Sequence, residues 1–207
     1  MSPMEIEQAS MAIIESELQV QVPEEIRPIV LRAIHATADF SFAETLTFTP
    51  GVIKVMQHLL TRGCTVITDT NMALAGINKS ALTRLGARAC CFMASPEVAE
   101  KAQASGRTRA WLSMEHALPL PGPKLRVCGN APTFLLSLLS RLDQNRSMAD
   151  DLAVIGVPVG FVNVVEAKEQ LLTSGLPCIV SRGRRGGSTV ASAIVNALMY
   201  GIPGVRS

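Results

Sequence analysis

The chain is 207 residues long and 48% apolar but only 4% aromatic, and its formal net charge is +2. That length suits one domain with a full core, and so small a charge, with no basic stripe interleaved with aromatics, argues against a nucleic-acid partner. No apolar run approaches the roughly 20 residues that span a bilayer, and Met1-Ser2-Pro3-Met4-Glu5 lacks a basic start followed by an apolar segment, so a soluble, cytoplasmic protein is expected.

Ser2-Pro3-Met4-Glu5 reads as a helix start, with serine as cap, proline in the first turn and an acid near the positive end of the dipole. This helix is expected to reach about Gln19. A second begins near Pro23-Glu24-Glu25 and carries Arg32 and His35, with Pro28 set to bend it or delay its start. Residues 38–48 have no clear pattern. Pro50-Gly51 opens a helix over Val52 to Thr61, which Gly63 closes. From there short β-rich runs at 64–68, 89–92, 125–128, 152–155 and 177–180 alternate with helical patterns. That alternation predicts a single three-layer α/β domain: a mostly parallel sheet of about five strands with helices on both faces. Continuous apolar strands such as Leu152-Ala153-Val154-Ile155 fit a sheet covered on both sides.

In such a sheet ligands bind beyond the carboxyl ends of the strands. The segments there are polar or glycine-rich: Thr68-Asp69-Thr70-Asn71-Met72, Gly129-Asn130-Ala131-Pro132-Thr133, Gly156-Val157-Pro158-Val159-Gly160-Phe161, and Ser181 through Ser188. The last is the best local anion site. Its glycines permit close backbone approach, Gly187 and Ser188 run into a helix start with free N–H groups, and Arg182, Arg184 and Arg185 flank it; the bland alternative is a turn with solvated arginines. Asp69 either caps the following helix or meets a ligand, and Asn130 either caps or binds. Arg109, near Trp111, stands where a large flat ligand could be walled, although core packing is the default for the tryptophan.

His35 follows Arg32 by three residues, so on a helix both project from one surface about a turn apart. Such a pair suits an anionic substrate that needs a proton; taken alone, it reads more readily as a core histidine beside a solvated arginine. The five cysteines have no paired two-residue spacing and no histidine cluster, so neither zinc site nor disulfide framework is expected. Dinucleotide and P-loop glycine spacings are absent, as is a nucleophile elbow. His35 remains the obvious proton-transfer group.

Taken in order, Arg32-Ala33-Ile34-His35, Ala38-Asp39-Phe40, Thr68 through Met72, Thr108-Arg109, Gly129 through Thr133, Gly156 through Phe161 with Glu166 and Lys168, and Gly183 through Ser188 with Asn196 resemble the precorrin-8X methylmutase family, including its cobalt-precorrin-8 members. The resemblance spans nearly the whole chain. It implies an isomerase of corrin-ring assembly that moves a methyl group from C-11 to C-12, giving hydrogenobyrinate or cobyrinate, with no S-adenosylmethionine and no enzyme-held metal. The family's catalytic histidine falls on His35, its substrate-contacting arginine on Arg32 and its N-terminal serine contact on Ser10. With these, Asp69, Arg109, Asn130, Arg182, Gly187 and Ser188 form the expected substrate-binding set for a tetrapyrrole, and a homodimer is implied. Trp111 and the Arg184-Arg185 pair depart from the family pattern. A corrinoid carrier without turnover is the competing reading, and a nucleotide-dependent transferase is disfavoured by the missing fingerprint.

Overall fold

The computed structural model describes residues 2–206. Ser2 starts α1 (Pro3–Glu17) with a reciprocal capping box: its hydroxyl accepts from Glu5 N–H, and the Glu5 carboxylate accepts from Ser2 N–H at 2.6 Å. The helix stops two residues short of Gln19. α2 (Arg27–Thr37) begins late, because Pro28 fits only its first turn, and Ala38 ends it in the left-handed conformation at φ 54°.

The sheet has six strands rather than five. The additional one, β1 (Leu46–Phe48), follows the short α3 (Phe42–Thr45) within the unpatterned stretch and pairs antiparallel with the last strand at the sheet edge. Three residues are too few for a visible alternation. α4 (Val52–Thr61) leads to β2 (Thr65–Thr68), α5 (Asn71–Gly76), α6 (Lys79–Arg84) and β3 (Arg88–Cys90). α7 (Pro96–Ser105) and α8 (Arg109–Ala117) precede β4 (Lys124–Cys128), α9 (Pro132–Gln144), a 3-10 turn (Arg146–Ala149) and β5 (Leu152–Gly156). α10 (Val164–Thr173), β6 (Cys178–Ser181) and α11 (Ser188–Tyr200) complete the chain.

The strand order is β1-β6-β5-β4-β2-β3, all parallel except β1. Alternation divides the core. Val66, Leu125, Val127, Ala153, Ile155 and Ile179 face a layer built from α1, α2, α4, α5, α6 and α11. Ile67, Cys128, Val154, Cys178 and Val180 face α8, α9 and α10, with α7 packed on α8. Helices on both faces explain why the strands carry no polar alternation. Arg126 is an exception inside the sheet: fully buried on β4, it donates to the carbonyl of Ala117 at the end of α8, where the helix dipole is negative. Among the described residues no helix is long and apolar enough to cross a membrane. All five cysteines are unpaired.

Candidate active site

Because β2, β4, β5 and β6 are parallel, their polar carboxyl-end segments meet at one edge. Sequence direction reverses between β2 and β4, the switch point at which open α/β sheets leave a crevice. Here the protein fills that point itself. The Asp69 carboxylate is fully buried and accepts from the N–H groups of Gly129, Asn130 and Ala131 at 2.9, 2.7 and 2.7 Å. Thr70, not Asp69, caps α5, and α9 has no side-chain cap of its own. Burial pushes the Asp69 carboxyl up, and those three backbone donors, with the Cys128 thiol, pull against it.

Beyond Asp69 the Thr70 and Ser188 hydroxyls lie 2.8 Å apart, joining the end of β2 to the start of α11. Gly129 sits so close that a Cβ there would lie 2.7 Å from the Ser188 Cα. Gly187 N–H donates to Val157 at 2.9 Å, fastening the glycine-rich loop to the segment after β5. Asp69, Asn130, Gly187 and Ser188 are thus gathered at one edge. The Asn130 side chain is exposed while its backbone is fixed. Arg109 opens α8 beside this edge: the preceding Thr108 caps the helix and donates to Thr133 at 3.0 Å, and Arg109 forms no ion pair among the described residues. Arg182 is exposed and lies 4.0 Å from Glu169, with its backbone N–H tied to Thr45.

Ser10 and Arg32 form a separate group. The Arg32 guanidinium is hydrogen-bonded to Glu7 and stacks 4.8 Å from the Tyr200 ring centroid, and Arg206 reaches the same carboxylate and ring. Ser10, one turn after Glu7, donates to Ile6 within its own helix at 2.9 Å. Among the described residues no hydrogen bond joins this group to the strand-end loops. His35 is exposed in the last turn of α2, one turn after Arg32. Four residues on, Asp39 accepts from Arg185 of the glycine-rich loop at 2.9 Å, and Arg185 also bonds the Ser41 hydroxyl. Desolvation would raise the Asp39 carboxyl, but Ser41 and the Arg185 charge hold it below its ordinary value.

Two features of this region have no role assigned from sequence. Asp39 and Arg185 are a pair only once the fold brings together positions 146 residues apart. Lys168 is fully buried and donates to the Gly183 and Arg185 carbonyls; its signal is an ammonium at the third place of an otherwise apolar face, Val164, Ala167, Lys168 and Leu171. Trp111 is half-buried, donates to Glu115 and carries Arg107 on its ring. Large exposed apolar residues border the site, with Met72, Phe161 and Val162 each more than two-thirds exposed and Arg184 5.4 Å from the Phe161 ring. Clefts of about 440 Å³ beside β1 and about 550 Å³ between the end of α1 and α3 do not include His35. Among the described residues no cluster of three or more His, Cys, Asp or Glu could hold a metal ion.

A family model described as precorrin-8X methylmutase matches residues 5–201. The chain is 42% identical over 173 residues to the cobalt-precorrin-8 methylmutase of Salmonella typhimurium, covering 83% of this chain and 80% of that protein. It is 34% identical over 192 residues to the precorrin-8X methylmutase of Pseudomonas aeruginosa, covering 91% of each. A solved structure of precorrin-8X methyl mutase from Thermus thermophilus superposes with a TM-score of 0.84 at 35% identity, covering 94% of this chain and 96% of that one.

Proposed function

Because the chain belongs to the precorrin-8X methylmutase family, isomerases of cobalamin biosynthesis, we propose that it moves a methyl group from C-11 to C-12 of a corrin precursor with His35 as the acid. The bond from C-11 to the methyl carbon breaks as the bond to C-12 forms. Substrate and product are isomers, so no methyl donor or oxidant enters the balance. Protonated His35 donates to a ring nitrogen near the migrating centre, which polarises the conjugated system and stabilises the product tautomer. A positioned general acid contributes about a hundred- to ten-thousandfold in rate.

The observation that carries this reading is His35 itself, exposed at the end of α2 and one turn from the bridge that ties it to the arginine–glycine loop, within a family match over residues 5–201. A flat macrocycle edged with carboxylates needs cations and backbone donors at its rim and apolar surface against its face. Arg109, Arg182 and Arg184 supply the first; Met72, Phe161 and Val162 supply the second. Relatives bearing both names match, so the cobalt-containing and cobalt-free substrates both belong in the assay. Any cobalt is cargo of the macrocycle.

The open edge and its exposed apolar border support a homodimer in which a second copy covers the site. Five unpaired thiols accord with a cytoplasmic setting. The test is an absorbance time course with precorrin-8X and with cobalt-precorrin-8, wild type beside His35→Ala. Conversion by wild type, with a rate loss of about a hundredfold or more in the variant, is expected. Binding without conversion of either substrate by wild type would overturn the reading in favour of a carrier, and full turnover by the variant would remove the role of His35. Sedimentation at assay concentration checks the dimer.

A further inference from the structure

Lys168 is out of reach of solvent on the inner face of α10, where Val164, Ala167 and Leu171 are its apolar companions. A buried ammonium normally needs a counter-charge, and an apolar side chain of similar size would fill the position without the desolvation penalty. Lys168 has no carboxylate partner among the described residues. Its Nζ instead donates to two carbonyl oxygens, those of Gly183 and Arg185, at 2.8 Å each. Packing alone does not account for it.

Both carbonyls belong to the loop between β6 and α11, and they bracket Arg184. A trans peptide is planar, with its C=O and the next residue's N–H pointing in opposite directions. Drawing the Gly183 and Arg185 carbonyls toward Lys168 therefore directs the N–H groups of Arg184 and Gly186 away from it. Neither N–H finds an acceptor among the described residues, whereas the neighbouring donors do: Arg182 N–H to Thr45 and Gly187 N–H to Val157. Two outward N–H groups in a glycine-rich turn, with the exposed Arg182 and Arg184 beside them, make a concavity suited to an anion.

We propose that Lys168 is a positioning residue: its ammonium holds inward the Gly183 carbonyl and, together with the Ser181 hydroxyl, which donates to the Arg185 oxygen at 2.8 Å, the Arg185 carbonyl, and so presents the Arg184 and Gly186 N–H groups to a carboxylate on the substrate's edge. The identity of that anion rests on the function proposed above; the loop's dependence on Lys168 does not. Burial brings the Lys168 ammonium down to about 8, and the nearby Cys128 on β4 acts in the opposite direction. The other charged or titratable groups around it are Asp69 beyond Cys128, Cys178 on β6, which donates to Leu171 of the Lys168 helix, Glu166 and Glu169 on that helix, and the three arginines of the loop. Deprotonation replaces two charge-assisted bonds by weaker neutral ones.

The experiment follows amide exchange at Gly187 and Gly160, whose N–H groups bond Val157 and Arg184 respectively, in wild type, Lys168→Met and Lys168→Gln. Protection, corrected for intrinsic base catalysis, should fall about tenfold in Lys168→Met at neutral pH, less in Lys168→Gln, and in wild type should decline as pH rises through about 8. Product binding, read with hydrogenobyrinate, should weaken about tenfold in Lys168→Met and partly recover in Lys168→Gln. Should Lys168→Met fail to fold, wild-type protection that stays flat across about pH 7 to 9.5 overturns the proposal. A folded Lys168→Met with unchanged protection overturns it as well. Loss of protection with unchanged corrinoid affinity removes the carboxylate role alone. Absence of turnover in wild type defeats the methylmutase reading instead, and the exchange result still decides whether Lys168 holds the loop.

Discussion

Asp39 and Arg185 are joined at 2.9 Å, and this contact ties the turn that ends the His35 helix to the loop between β6 and α11. The turn is organised locally as well: Asp39 N–H donates to Thr37, and Ser41 N–H donates to Asp39. Both partners of the bridge are partly exposed, 60% for the arginine side chain and 31% for the aspartate, so as an ion pair it is worth only about 0.2–1 kcal/mol. Its value is directional. Arg185→Ala should leave the urea midpoint almost unchanged while turnover drops about tenfold, as expected when a proton donor loses alignment. Equal turnover in variant and wild type would show that His35 is held by its own helix alone.

Asp69 is the opposite case, a carboxylate whose worth is almost entirely structural. It closes the β2–β4 switch point with three backbone hydrogen bonds that fix the Gly129–Ala131 segment leading into α9. Asp69→Asn preserves shape but turns an amide donor toward at least one of those N–H groups. Loss of a charge-assisted bond together with an unsatisfied donor predicts destabilisation of about 2–4 kcal/mol. Urea unfolding measures it. A change below about 0.5 kcal/mol, the range of ordinary surface substitutions, would mean that the loop after β4 re-forms without Asp69.

Much of this architecture was legible because its signals are local. Apolar runs such as Leu152-Ala153-Val154-Ile155, punctuated by Gly156, fix both the strand and the edge at which its loop emerges. β1 escaped because it exists only through pairing with β6, 131 or more residues away in sequence. The partners of site residues were hidden for the same reason. Nothing near Arg32 announces that Glu7, Tyr200 and Arg206 will surround it, and nothing near Asp69 announces that it will hold the loop before a helix that starts more than sixty residues later. Residue types and periods specify elements; long-range polar contacts specify what each side chain does there.

Gly186 should be the least replaceable residue of the loop. Its φ of 156° is unfavourable for any L side chain, and a Cβ would fall 2.1 Å from the Val157 carbonyl oxygen, a backbone atom that cannot rotate aside. Gly186→Ala therefore combines overpacking with backbone strain, about 2–4 kcal/mol together. Gly183→Ala is the control: at φ 75° with nothing within 4 Å of its Cβ, it carries only the left-handed penalty of about 1–2 kcal/mol. Thermal melts of the two variants should be ordered accordingly. The reverse order would refute the contact between the two loops.

Glu7 should set part of the acid limb of stability. It takes hydrogen bonds from Arg32 and Arg206, the second at 2.6 Å, and both guanidinium groups lie against the Tyr200 ring. Desolvation by itself raises the Glu7 carboxyl, but the charge of Arg32 and the bond and charge of Arg206 outweigh it, so it rests below the usual glutamate value. The unfolded chain then takes up this proton more readily than the folded one. The contribution to stability is complete above the unfolded value of about 4.3 and is lost as pH falls through the folded one. Glu7→Gln should lower stability at neutral pH, since two cations lose their shared counter-charge, and should flatten the decline between about pH 5 and 3. Urea unfolding across that range gives both quantities. Parallel acid limbs in variant and wild type would assign the acid sensitivity to other carboxylates, with Glu115 the next to test because Arg141 and Trp111 hold it below its ordinary value against the opposing effect of burial.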